Sequence, residues 1–161
     1  MRERLTARVL LLDPEGRILL MRARVRPDDP RPARWFTVGG GVEAGEDLLA
    51  AAAREAAEET GFADIAVERL VWWRDRPGRL HTGEDVIFQE RYVLARCGGG
   101  PVSRAAWEAH EHDLLDDVRW WSLEDLRTTD EMILPTPLPA MLAALLAGDL
   151  PDLPVELDDP D

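Results

Sequence analysis

The sequence predicts an α/β fold with helices on both faces of a mixed sheet. Three observations point to it. Short apolar runs alternate with turn residues along most of the chain. A single Leu/Ala-rich stretch, Leu48 to Ala57, has high helix propensity and stands between strand-like runs. At 161 residues the chain is long enough for one domain with a sizeable core.

Taken in order, Leu5 to Leu12 reads as a strand, Asp13-Pro14-Glu15-Gly16 as a turn, and Arg17 to Arg22 as a strand. Residues 23–34 hold Pro27, Pro30 and Pro32 and read as a long loop. Trp35 to Val38 is a short strand, and Gly39-Gly40-Gly41 opens a loop into the helix. Gly45 is placed to cap that helix, Glu46 and Asp47 suit its first turn, and Gly61 suits the left-handed cap that ends it. Ala66 to Arg74 and Val86 to Arg96 read as strands around a turn at Arg76-Pro77-Gly78-Arg79. Arg119 to Ser122 is a short strand, Ser122-Leu123-Glu124-Asp125 opens a short helix, and Pro137 to Leu146 is the last helix. Residues 1–149 form the domain, and the acidic, Pro-rich residues 150–161 are expected to be a disordered tail.

Composition excludes several classes. No apolar run is long enough to span a membrane, and Met1-Arg2-Glu3-Arg4 lacks the pattern of a signal peptide. The lone Cys97 rules out an internal disulfide and a zinc cluster, and reads as a strand-end residue rather than a nucleophile. These features lead to a cytoplasmic expectation. The net charge of −13 is unevenly spread. Residues 1–34 hold nine Arg against five acids, whereas residues 151–161 hold five acids and no base. No nucleic-acid partner is expected through a general basic surface.

The segment Gly40 to Phe62, GGVEAGEDLLAAAAREAAEETGF, carries the most chemistry. It crowds Glu55, Glu58 and Glu59 into the end of a helix, where the partial negative charge of the helix terminus disfavours anions. Glu55 also faces both Glu58 and Glu59 at helical spacing. At about 100° per residue, Leu48, Leu49, Ala52, Ala53, Ala56 and Thr60 share one arc, and Glu59 falls inside it. Glu55 and Glu58 lie at its border. A carboxylate on the core side is costly unless paired or metal-bound. The spacing alone leaves two explanations, a solvated acidic face or a cation site, and the Gly-rich loop beside it favours the second.

The same segment resembles the signature of the Nudix hydrolases, G-x5-E-x7-R-E-U-x-E-E-x-G-U, with U a bulky apolar residue. Gly40, Glu46, Arg54, Glu55, Glu58, Glu59, Gly61 and Phe62 fall in register, and Ala56 departs from the usual larger aliphatic. Trp35 to Gly40 resembles the W-x-x-P-G-G strand of that family, with Val38 in place of Pro. The resemblance implies a Nudix-like α/β/α sandwich with its loop-helix-loop. It also implies a metal-dependent pyrophosphohydrolase acting on a nucleoside diphosphate linked to another moiety. ADP-ribose or a nucleotide sugar is the favoured substrate type. The alternatives are a (d)NTP or dinucleoside polyphosphate hydrolase and a non-catalytic nucleotide-sensing module. The implied cofactor is Mg²⁺ or Mn²⁺, the partner is a small-molecule nucleotide, and a homodimer is among the assemblies the family forms.

Position in the motif assigns Glu55 and Glu59 as main metal ligands, Glu58 as completing the cluster or acting in catalysis, and the Gly39 carbonyl as a further ligand. Arg54 is expected to orient Glu58 and to reach Glu46. Glu111, in Ala109-His110-Glu111-His112-Asp113, reads either as a downstream base or ligand or as a solvated loop acid. The histidines beside it do not suit a hard cation. Arg22 and Arg24 are expected to clamp phosphates, with Gly40 and Gly41 offering backbone contacts to substrate. Of the adjacent Trp72 and Trp73, one should be core and the other free to stack on a base. In the family, a Pro near the position of Pro77 accompanies ADP-ribose hydrolysis, although Pro77 also suits a plain hairpin turn.

Overall fold

A computed structural model describes residues 1–24 and 28–158, apart from the side chains of His110 and Asp113. The strands are β1 (Arg2–Leu12), β2 (Ile18–Ala23), β3 (Arg34–Gly41), β4 (Ala66–Arg79), β5 (Asp85–Arg96), β6 (Leu115–Trp121) and β7 (Val155–Glu156). The helices are α1 (Leu48–Thr60), α2 (Ala109–Leu114), α3 (Leu123–Thr128) and α4 (Leu138–Leu146). The strands form one seven-stranded sheet in the order β6-β2-β3-β1-β5-β4-β7. β1 runs parallel to β5 and β4 parallel to β7, and the other pairs are antiparallel, so the sheet is mixed as expected.

Val9, Leu10, Leu11 and Leu12 at the end of β1 are all buried, as a strand covered on both faces requires. Their side chains divide between two cores. One gathers Ala7, Val9, Leu11, Met21, Val38 and Val93 under Ala51, Ala52 and Ala56 of α1. The other gathers Leu10, Leu12, Leu20, Trp35, Trp72 and Trp121 under Leu126 of α3 and Leu138, Leu142 and Leu145 of α4. The alanines let α1 sit close to the sheet. Its buried face differs slightly from the expected arc: Ala51 replaces Ala53, and Leu49 is exposed.

Several expected boundaries are corrected. Asp47, not Gly45, caps α1, accepting from the backbone N–H groups of Leu49 and Ala50, which a glycine cannot do. Residues 76–79 continue β4 rather than turn; the turn lies at Leu80 to Glu84, where Leu80 donates to the Glu84 carbonyl. Pro77 pairs with Ile87. It is tolerated because β7 borders β4 only at Trp72 and Trp73, which leaves an open edge at Pro77. Residues 109–114 form α2, not a loop, closed by reciprocal capping between Glu108 and Glu111. Trp73 is covered by the Arg91 guanidinium, 5.4 Å from its ring centre, while Trp72 is core.

The acidic segment 150–161 is described through residue 158, with residues 159–161 outside the described residues. Val155 and Glu156 extend the sheet, the Leu157 N–H donates to the Trp73 carbonyl, and the Leu157 side chain is only 6% exposed in the core around Trp72. Apolar burial overrides the acidic composition. Leu157→Ala should therefore cost about 1–3 kcal/mol in a denaturation titration, whereas Leu153→Ala, at a side chain 78% exposed, should be neutral. Equal, negligible effects would remove the tail from the folded unit.

Candidate active site

Helix α1 delivers three carboxylates at three depths. The Glu59 residue is buried at 5% exposure, while the Glu55 and Glu58 side chains are 16% and 50% exposed. The helix ends at Gly61, whose left-handed φ of 77° lets its N–H meet the Ala57 carbonyl. Trp107 Nε1 donates to the Glu59 carbonyl at 2.7 Å, and the Ser103 N–H donates to the Thr60 carbonyl at 2.8 Å. The strand end Gly39-Gly40 lies directly beneath. The Gly39 N–H donates to Glu59 Oε2 at 3.3 Å. A Cβ on Gly40 would strike the Glu55 carboxyl group, and one on Gly39, at φ 142°, would strike the Ala7 carbonyl.

Arg54 organises the outer carboxylates. Its Nε and Nη2 donate to the two oxygens of Glu46 at 2.8 and 2.9 Å, Nη1 donates to Glu55 at 3.0 Å, and Nη2 also donates to the Gly41 carbonyl at 3.1 Å. The expected reach to Glu46 is present. The contact to Glu58, at 3.4 Å, is the longest of the set. Arg54 and the Glu43 N–H hold the Glu46 carboxyl down at about 2. Burial pushes the Glu55 carboxyl up, against the pull of Arg54. Burial pushes Glu59 up much further, and the neighbouring Glu111 and Glu55 add to this against Arg8.

A cleft of about 950 Å³ opens beside this corner. Glu59, Gly39 and Glu111 line it together with Arg8, Thr37 and Phe36. Glu111, on α2, is thus brought to the same cleft as Glu59, while one of its oxygens accepts the Glu108 N–H at 3.1 Å. Arg24 lines the cleft and donates to the Asp29 carbonyl at 3.0 Å. Arg22 is not among the lining residues and pairs with Asp116 at 2.7 Å and Glu131 at 3.1 Å. Gly40 and Gly41 are also outside the lining, with the Glu55 and Arg4 side chains packed against them. Arg31 and Arg34 line the cleft and pair with the buried Asp29.

Sequence reasoning missed Arg8, Arg74, Arg76 and Glu90, which also line the cleft. Glu90 is buried between Arg74 and Arg76, at 2.5 and 3.2 Å, and accepts from the Tyr92 hydroxyl. The signal was available: Arg74 and Arg76 at alternate positions, and Glu90 alternating with Phe88 and Tyr92, mark a strand face that is not simple core.

The donor set suits a hard divalent cation: carboxylate oxygens, with Gly39 beneath them, and like charges that raise one another. Among the described residues no three such side chains yet converge as a finished cage. Arg54 occupies one oxygen of Glu55, Oε1, and so supplies positive charge beside it.

The chain matches the family model described as NUDIX domain over residues 2–141. It is 34% identical to an RNA pyrophosphohydrolase of Caulobacter vibrioides over 140 residues, covering 79% of this chain and 74% of the relative. It is 35% identical to a putative 8-oxo-dGTP diphosphatase 2 of Mycobacterium tuberculosis over 123 residues, covering 70% and 82%. In structure it is similar to a MutT protein from Methanosarcina mazei Go1, with a TM-score of 0.61 at 18% identity, covering 92% of this chain and 96% of that one. At that identity the likeness shows the fold.

The buried Glu59 has a pH signature. In the unfolded chain it titrates near the ordinary 4.5, and in the folded protein well above. As pH rises past that value the unfolded chain ionises first, so metal-free stability falls until the folded pKa is passed. Glu59→Gln lacks this loss. Without metal, the variant should gain stability over wild type progressively as pH rises above 4.5 in parallel melting series. A difference that does not change with pH would refute the burial argument.

Proposed function

Because this chain belongs to the Nudix family, whose members with pyrophosphohydrolase names act on phosphoric anhydride bonds, we propose that it cleaves a nucleoside diphosphate linked to another moiety. Its cofactor in this reading is Mg²⁺ or Mn²⁺. The observation that carries the reading is the seating of Glu55 and Glu59 against Gly39 and Gly40 at the edge of an Arg-lined cleft.

Glu59 and Glu55 would hold the cation, with Glu58 at the solvent side and the Gly39 backbone below. Bound there, a divalent ion supplies charge neutralisation of the diphosphate and a more acidic water. The protein's own groups do the rest. Arg54 fixes Glu55 through its bidentate hold on Glu46, acting in orientation. Glu111 faces the cleft near Glu59 from a separate helix and is the preferred general base, with Glu58 the other candidate. Phe36, Met21 and Leu115 offer an apolar wall for a base, and Arg24 and Arg34 border it.

Pro77 supports the ADP-ribose or nucleotide-sugar type, since it lines the cleft from β4 and forms no hairpin turn. A second reading, a nucleoside 5′-triphosphate as substrate, is favoured by the name of the 8-oxo-dGTP diphosphatase relative.

With Mg²⁺ or Mn²⁺, the protein should turn over at least one of ADP-ribose, a nucleotide sugar, a dinucleoside polyphosphate or a nucleoside triphosphate, followed by product chromatography. Turnover of none sinks the proposal. Either metal should raise the melting temperature of wild type, and that rise should vanish in Glu59→Gln. Glu111→Gln should lower kcat by about 100-fold or more while keeping the metal-induced rise. A fully active Glu111→Gln would return the base role to Glu58.

A further inference from the structure

The wall of the cleft formed by β4 and β5 is a built charged surface that the hydrolytic carboxylates do not use. Glu90 is buried at 4% exposure, with Arg74 Nε at 2.5 Å, Arg76 Nε at 3.2 Å and the Tyr92 hydroxyl at 3.2 Å. Arg76 lies over the Phe88 ring at 5.4 Å. Gly78 makes this possible, because a Cβ there would meet the Phe88 ring at 2.5 Å. Its guanidinium is thus clamped between a carboxylate and an aromatic face, while the side chain stays 35% exposed.

Arg8, on the neighbouring strand β1 and in register with Tyr92, donates Nη2 to the Thr37 carbonyl at 3.1 Å and lies over Phe36 at 5.8 Å. Its Nε is buried with no hydrogen-bond partner among the described residues. A buried donor left without an acceptor is destabilising, and a guanidinium that turns to meet an incoming oxygen relieves it. Arg8, Arg74 and Arg76 thus act together on Glu90 in the cleft lining, while Asp85, the other lining carboxylate of β5, is taken up by Arg79 at 2.7 Å.

We propose that Arg8, Arg74 and Arg76, arranged around Glu90, form an anion subsite that receives a phosphate group of the substrate beyond the bond that is cut. Arg forks suit phosphate oxygens, and preorganisation by Glu90 and Phe88 removes much of the ordering entropy of Arg76. Glu90 is a positioning residue here. The inference rests on the pyrophosphohydrolase reading and favours its second form over its first: the group beyond the cut is a charged phosphate chain, as in a 5′-triphosphate.

The test uses the full chain with Mg²⁺ and two probes: a non-hydrolysable α,β-methylene nucleoside triphosphate for binding, and a nucleoside triphosphate against ADP-ribose for turnover. Arg76→Ala and Arg8→Ala should each weaken binding of the analogue about 10- to 100-fold and lower the triphosphate-to-ADP-ribose ratio of kcat/KM by about 10-fold or more. Arg76→Lys, which keeps charge without the fork, should fall between. Glu90→Gln should raise KM for the triphosphate more than it lowers kcat. An unchanged Kd, or equal losses on both substrates, overturns the subsite even if wild type is active. If wild type turns over nothing yet binds the analogue, and Arg76→Ala weakens that binding, the hydrolase reading fails and the subsite stands. Should an Ala variant fail to fold, as judged by its melting curve, the Lys variant decides: wild-type affinity and selectivity in Arg76→Lys refute the subsite.

Discussion

Everything at the reaction corner depends on two missing side chains. Gly39 and Gly40 let the end of β3 pass under the last turns of α1 with no Cβ between them. Gly39 accepts the tight approach to the Ala7 carbonyl and offers its N–H to Glu59; Gly40 leaves the space that the Glu55 carboxyl fills. This contact fixes the depth of the helix, and the alanines on its buried face complete the fit. Move the helix outward by one methyl group and Glu59 reaches water, where it has no reason to bind a cation rather than a solvent molecule.

The electrostatics follow from that depth. The three carboxylates share a helix terminus whose own partial charge disfavours them. The deepest, Glu59, has burial as its main perturbation, and Glu55 is balanced between burial and the Arg54 guanidinium. Only Glu58 is left to water. Arg54 is therefore a spacer as much as a partner, since it keeps Glu46, Glu55 and the Gly41 carbonyl in one arrangement. A surface helix with the same E-x-x-E-E spacing would have none of this structure, and its carboxylates would be interchangeable.

Much of this was legible in the sequence. The helix bounded by Gly61, the depth of Glu59 and the link from Arg54 to Glu46 all follow from helical spacing and the signature. What escaped were features that need the third dimension. Arg22 ends the strand nearest the loop as expected, yet its charge is taken up by Asp116 and Glu131, which are far away in sequence. Residues 76–79 carry a strong turn pattern, but pairing along β5 outweighs it and extends the strand. Leu157 sits in an acidic tail and is nevertheless core. Arg8 gave no signal because a lone Arg in a strand is ordinary until its neighbours are known.

The two halves of the cleft are anchored on different parts of the chain. The last turn of α1 is tied through Trp107 and Ser103 to the segment that leads into α2, which links the seats of Glu59 and Glu111. The wall with Arg76 and Phe88 belongs to the β4–β5 hairpin, whose tip closes on itself at Leu80 to Glu84. Substitutions in that hairpin can therefore reshape one wall of the cleft while the anchors of Glu59 and Glu111 stay in place. A fold divided in this way can diversify its diet without relearning its chemistry.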